Sequence, residues 1–215
     1  MEILSKAFGE YGTNCYIIKG TSGDLVIDPG ENAAPWVFEN TNKILAVLNT
    51  HGHFDHTYDD KILQNSGIKI YIHEKDKFFC TKDPFEKLNE VFSPDFLLSG
   101  DEILTFGNFN VKFAHFAGHT PGCSMIFVNN GKINRNAETL DEMFSPVDTK
   151  IFSGDVIFRG SVGRSDFPFS NHKDMKISLQ NILKIKQNFE IYPGHGAPTN
   201  LENERRVIEY FLKYF

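Results

Sequence analysis

Thr50-His51-Gly52-His53-Phe54-Asp55-His56 sets three histidines and an aspartate within six residues, directly after the apolar run Ile44–Leu48. In a chain of this composition the pattern His-x-His-x-Asp-His arises by chance on the order of once per thousand sequences. The apolar run predicts a buried strand, and the motif sits at its end. In extended chain, residues two apart point the same way, so His51 and His53 can converge on one ion. Asp55 and His56 lie where the chain turns into a helix and can reach a second. Imidazoles and carboxylates suit borderline divalent metals, and burying several of them together is costly without a partner.

One such cluster holds too few ligands for two ions. Three further candidates lie at predicted strand ends: His119 in Gly118-His119-Thr120-Pro121-Gly122, Asp155 in Phe152-Ser153-Gly154-Asp155, and His195 in Tyr192-Pro193-Gly194-His195-Gly196. Each is flanked by glycine, which lets backbone approach a site closely.

Around these motifs, strands and helices interleave. Glu2–Phe8, Asn14–Lys19, Asp24–Ile27, Ile68–Ile72, Glu102–Phe106, Asn110–His115, Ser124–Val128 and Lys150–Ser153 read as strands, punctuated by glycine-rich turns. Residues 56–64 read as one helix, and Glu74–Pro94 as short helices and loop. Met175, Leu179, Ile182 and Leu183 mark an amphipathic helix. Asn200 is placed to cap a last helix with a buried stripe of Val207, Ile208, Phe211 and Leu212. Residues 129–148 are polar and irregular, long for a connection between strands, and suggest an excursion or a lid. The whole, 1–215, is expected to be a single α/β domain.

These four motifs, with Asn14-Cys15-Tyr16 and Leu25-Val26-Ile27-Asp28-Pro29-Gly30 before them, resemble the metallo-β-lactamase superfamily, and within it the glyoxalase II-like hydrolases. The resemblance covers nearly the whole chain. It implies an αββα four-layer sandwich with metals along one edge. Matched by position, it makes His51, His53 and His119 ligands of a first ion, Asp55, His56 and His195 ligands of a second, and Asp155 the bridge. Two divalent ions are implied, zinc first, with iron or manganese as alternatives. Asp28 falls in a structural turn beside the site. Aspartate at 155, where several true β-lactamases carry cysteine, points away from antibiotic hydrolysis.

Paired ions of this kind lower the pKa of a shared water to about 7, which supplies a hydroxide to attack an acyl carbonyl. A thiolate leaving group then needs little protonation. Asp55 is also the natural group to orient the nucleophile or accept its proton. Arg164, in Gly160-Ser161-Val162-Gly163-Arg164, stands where the glyoxalase II loop carries a basic residue that contacts glutathione, although an Arg164–Asp166 pair is an equally simple role. The implied substrate is a small acyl thioester, such as a glutathione conjugate. With 20 residues after His195, the C-terminal helical domain of two-domain glyoxalase II is not expected here. Two alternatives remain: a mononuclear iron persulfide dioxygenase using His51, His119 and Asp155, with Asp166-Phe167 in its support, and an RNA-processing nuclease.

Composition narrows the field. The chain has 215 residues, 22 Lys+Arg against 28 Asp+Glu and a net charge of −6, without the overall basic character of a nucleic-acid binder. No apolar run reaches the roughly 18 residues that a membrane span needs, and the opening residues, without a basic stretch followed by an apolar one, lead us to expect no secretory signal. Three scattered cysteines argue against a disulfide framework and fit a reducing cytoplasm. His73 and His115 are expected to be structural and His172 exposed; oligomeric state is left open.

Overall fold

Strand alternation sends successive side chains to opposite faces, and here both faces are apolar, so each sheet must be covered twice. The computed structural model describes residues 1–100 and 102–215. Strands β1 (Glu2–Phe8), β2 (Thr13–Lys19), β3 (Asp24–Ile27), β4 (Ile44–Leu48), β5 (Ile70–His73) and β6 (Phe96–Leu98) form one sheet in that order. β1 to β3 pair antiparallel, and β3 to β6 parallel. The second sheet starts with β7 (Ile103–Phe106), β8 (Phe109–His115), β9 (Ser124–Asn129) and β10 (Thr149–Gly154). A small hairpin, β11 (Ile157–Phe158) and β12 (Ser161–Val162), stands apart from it. β13 (Glu190–Pro193) and β14 (Thr199–Asn200) then complete the order β14-β13-β10-β9-β8-β7.

Tyr16, Ile18, Leu25 and Leu48 of the first sheet meet Phe113, Ile126, Val128 and Phe152 of the second in a core between the sheets. The alternate residues Cys15, Ile17, Val26 and Val47 face outward, under α1 (Ala34–Asn40). Behind the second sheet, Met125, Phe127, Ile151 and Ile191 pack beneath the last two helices. The result is the expected helix–sheet–sheet–helix sandwich.

Two predicted helices differ in detail. The helix expected over 56–64 is two pieces, α2 (Phe54–Thr57) and α3 (Asp60–Asn65). The break falls at Tyr58-Asp59, where the Asp59 N–H donates to the Pro29 carbonyl and its carboxylate accepts the Ala34 N–H. Of residues 129–148, Asn129 closes β9 and the only other regular element is α4 (Leu140–Met143). This excursion is no lid over the histidines. Arg135 donates to Thr105 and Asn110, Asp141 accepts the backbone of Lys186 and Gln187, and Phe144 packs into the outer core. α5 (His172–Ile182) buries Met175, Leu179 and Ile182 as its periodicity predicts. α6 (Leu201–Phe211) is capped by Asn200, which accepts the Asn203 N–H. Its buried face is Leu201, Glu204 and Ile208, with Val207 only half-buried. Glu204 is inside because its carboxylate holds the Gly160 N–H and the Thr199 hydroxyl.

Candidate metal centre

The candidate ligands lie at the C-terminal ends of four strands, two sheets meeting along one edge. His51, His53, Asp55 and His56 follow β4. His119 follows β8, Asp155 follows β10, and His195 follows β13. A strap from the first sheet fixes the last of these: the Asn14 N–H donates to the Gly194 carbonyl at 2.7 Å, and the Tyr16 hydroxyl to the Pro193 carbonyl at 2.6 Å. Gly194 is required there, since a Cβ would lie 2.3 Å from Asp155 Oδ1.

All seven residues come together. His51, His53 and His119 form one group; Asp55, His56 and His195 form another; Asp155 joins His51 and His56 between them. Within each group the potential ligand atoms lie within 4.8 Å of one another. Asp155 Oδ2 is 3.4 Å from His119 Nε2 and 3.5 Å from His195 Nε2, while Asp155 Oδ1 is 3.4 Å from His56 Nε2. Asp55 Oδ2 is 3.4 Å from the Nε2 atoms of both His56 and His195. Such spacing is long for a hydrogen bond. It matches the about 3.3–3.4 Å expected between tetrahedral ligands bound at 2.0–2.1 Å.

The opposite ring nitrogen shows why these imidazoles face inward as acceptors. His119 Nδ1 donates to the Arg164 carbonyl at 2.8 Å, and His195 Nδ1 to the Tyr11 carbonyl at 3.0 Å. His56 Nδ1 is 2.9 Å from Asp28 Oδ2. The Thr50 hydroxyl donates to Asp28 Oδ2 at 2.6 Å, so its lone pair takes the proton of His51 Nδ1 at 3.1 Å. With Nδ1 carrying the proton, Nε2 is left as a lone pair. The Nε2 atoms of His51, His53, His56 and His119 are buried without any hydrogen-bond partner, as is Asp155 Oδ1. A buried set of acceptors with no donor is costly unless a cation fills it. The donor set, imidazole nitrogens and carboxylate oxygens, therefore fits divalent ions.

Electrostatics without a cation tell the same story. Burial holds His51 and His119 neutral and pushes His53 down to about 3. Burial acts in the same sense on His56 and His195, but neighbouring carboxylates outweigh it, raising His56 well above its usual range and His195 to about 9. Burial disfavours ionised Asp55, yet His56, His195 and Thr13 pull it down to about 2. The carboxylates thus demand positive charge, and protons on two histidines supply it when metal does not.

Arg164 is 63% exposed, with its guanidinium paired to Asp166 at 2.9 and 2.8 Å. Its carbonyl, not its side chain, reaches the cluster. Sequence patterning missed several supporting groups. Asp76, buried in the 3₁₀ helix Glu74–Cys80, accepts the Gly52 and Gly122 N–H groups and the Thr120 hydroxyl, binding the His51–His53 loop to the His119 loop. The Thr13 hydroxyl donates to Asp55 Oδ2 at 2.6 Å. The three cysteines are free and buried, and no helix among the described residues is long and apolar enough to cross a membrane.

Residues 8–133 match the family model described as the metallo-β-lactamase superfamily. The hydroxyacylglutathione hydrolase GloC of Haemophilus influenzae is 29% identical over 207 residues, covering 90% of both chains. Among solved structures, the B3 metallo-β-lactamase BLEG-1 superposes with a TM-score of 0.78 at 24% identity, over 95% of this chain and 97% of that one. TTHA1623 in a di-iron-bound form gives 0.71 at 26% identity, over 95% and 98%. With the match spanning more than half of the sequence and the sandwich in common, this chain belongs to the metallo-β-lactamase superfamily of metal-dependent hydrolases.

Proposed function

We propose that the chain, acting as one domain in the cytoplasm, hydrolyses an acyl thioester of the hydroxyacylglutathione type. In this reading His51, His53 and His119 hold one divalent ion, Asp55, His56 and His195 a second, and Asp155 lies between them. The observation that carries the metal assignment is the set of inward-facing Nε2 atoms and Asp155 Oδ1, buried and without donors, and the likeness to GloC supports the thioester. When bound, the ions supply Lewis acidity and water acidified to a pKa of about 7. Zinc is the first choice for this nitrogen and oxygen set, with iron, as in the di-iron relative, or manganese as alternatives.

The chain's own residues supply the rest. Asp55, kept ionised and fixed by the Thr13 hydroxyl, orients the attacking water or accepts its proton. The hydrogen bonds on the Nδ1 atoms hold the ligand rings at fixed angles. A thiolate, with a parent thiol pKa of about 8.5, leaves without a dedicated acid. That suits a cleft lined by acceptors, whereas an alkoxide or amine would need a donor. The GloC relative is consistent with a glutathione thioester; the substrate contact that the resemblance implies for Arg164 competes with its pairing to Asp166.

The test combines elemental analysis of protein purified without added metal with assays of thioester hydrolysis and of oxygen uptake with glutathione persulfide. Two ions per chain and hydrolysis of 2-hydroxyacyl thioesters are expected. One iron per chain with oxygen consumption would replace this reading by a persulfide dioxygenase built on His51, His119 and Asp155.

A further inference from the structure

One side of the histidine cluster is walled by aromatic rings. Tyr11, Phe54, Phe85 and Phe167 follow one another edge to face, with centroids 5.4, 5.8 and 5.8 Å apart. They come from four segments: the β1–β2 turn, α2, the loop after the 3₁₀ helix, and the loop after β12. The arc lies directly on the candidate ligands. His53 is 5.4 Å from Phe85, and His119 is 5.9 Å from Phe167. Tyr11 is 47% exposed, and Phe85 and Phe167 are half-buried, so part of the arc is open to a ligand.

A cation stands at each end, and the two differ. Arg164 lies 4.2 Å over the Phe167 ring but is already neutralised by Asp166. Lys87 Nζ lies 4.7 Å from the Tyr11 ring and 5.6 Å from the Phe54 ring, and its partner is the Tyr11 hydroxyl. Among the described residues, no carboxylate stands within 4.0 Å of Lys87 Nζ, and Glu10 and Asp55 act on it only from further away. The loop is shaped for this placement. The Asp83 carboxylate accepts the N–H groups of Phe85, Lys87 and Leu88, and the Phe92 N–H closes the loop onto the Cys80 carbonyl.

We propose that Lys87, with the open rings of Tyr11 and Phe85, forms a subsite for the thiol half of the substrate, taking a carboxylate on the ammonium and apolar atoms on the rings. This rests on the thioester reading and adds where the substrate's charge is bound. In a 2-hydroxyacyl thioester of glutathione the acyl half is neutral, so every carboxylate belongs to the thiol half. A solvent-exposed pair of this kind changes affinity by about threefold to fivefold.

The test compares S-lactoyl-N-acetylcysteine with S-lactoyl-N-acetylcysteamine, which differ by one carboxylate, on the metal-loaded protein. The acidic thioester is expected to be preferred by about threefold to fivefold in kcat/KM, through KM. Lys87→Ala should abolish that preference, Lys87→Glu invert it and Lys87→Arg keep it. Calorimetric titration with the matching S-butyl thioethers, which cannot be hydrolysed, reads binding without turnover and should show the same order. Hydrolysis with no preference in the native protein, or with one that survives in Lys87→Ala and Lys87→Glu, overturns the subsite and leaves thioester hydrolysis standing. Failure to hydrolyse either thioester, with a Lys87-dependent preference in thioether binding, overturns the thioester reading and leaves the subsite standing.

Discussion

Two groups of buried and half-buried histidines in this protein solve the same desolvation problem in opposite ways. At the sheet edge, His51, His56, His119 and His195 are anchored through Nδ1, and Nε2 points inward. Behind them, His73 and His115 stack at 4.2 Å with ring planes 17° apart, and here Nε2 is the satisfied atom, bonded to the carbonyls of Ser99 and Pro121. His73 Nδ1 is used as well, accepting the Lys75 N–H. The first arrangement spends hydrogen bonds on orientation and leaves lone pairs for a cation. The second closes the ring off. Which nitrogen the protein satisfies separates a candidate ligand from a structural histidine, and burial alone does not.

The largest expected effect sets the two groups against each other. His51→Ala or His119→Ala should lower kcat/KM by about 10³-fold, the several kcal/mol that metal ions contribute. His73→Gln should retain metal and stay within about tenfold of native activity. Elemental analysis beside steady-state kinetics checks both, and equal losses would erase the distinction.

Asp76 joins the regions, since it sits just beyond His73 and holds both ligand loops. Asp76→Ala strands two buried N–H groups and a hydroxyl, and should cost about 3 kcal/mol or more in chemical denaturation. Asp28→Asn sharpens the orientation argument. Asp28 has φ +48°, a conformation asparagine tolerates, so the fold should survive while metal affinity or activity falls about 10- to 100-fold. Competition with a chromophoric chelator measures this.

The smallest effect is a pH slope. An unfolded histidine takes up a proton near pH 6.5. Folded His73, opposed by burial and by His115, does so only near 4. Between these values the unfolded chain holds the extra proton, so stability should fall as pH drops from 6.5 to 4. Denaturation curves of the native protein and His73→Gln should differ across that window by a slope of at most one proton.

Much of this was legible along the chain because the informative groups are local. His51, His53, Asp55 and His56 share one short segment. The strands declare themselves as short apolar runs between glycine-rich turns, and His119, Asp155 and His195 by the glycines beside them. What stayed hidden depends on distant partners. Asp76 works through Gly52, Thr120 and Gly122, residues 24 to 46 positions away. The break at Tyr58-Asp59 follows from contacts with Pro29 and Ala34. The aromatic arc draws on four segments, none remarkable by itself in a chain with 21 phenylalanines. The excursion over 129–148 looked like a lid from length alone, and only its contacts with Thr105 and Gln187 show it lying elsewhere.

The strap from Asn14 and Tyr16 to the Pro193-Gly194 turn crosses from one sheet to the other. The histidine cluster spans the same seam, with four candidate ligands after β4 in one sheet and three from the other. Any cation gripped by both sets is therefore a crosslink between the halves of the sandwich, present only when they are docked. Its affinity adds to the cohesion of the fold by mass action. Stripping it should loosen the seam before it unravels either sheet, so metal supply would govern how long the protein lasts as well as how fast it works.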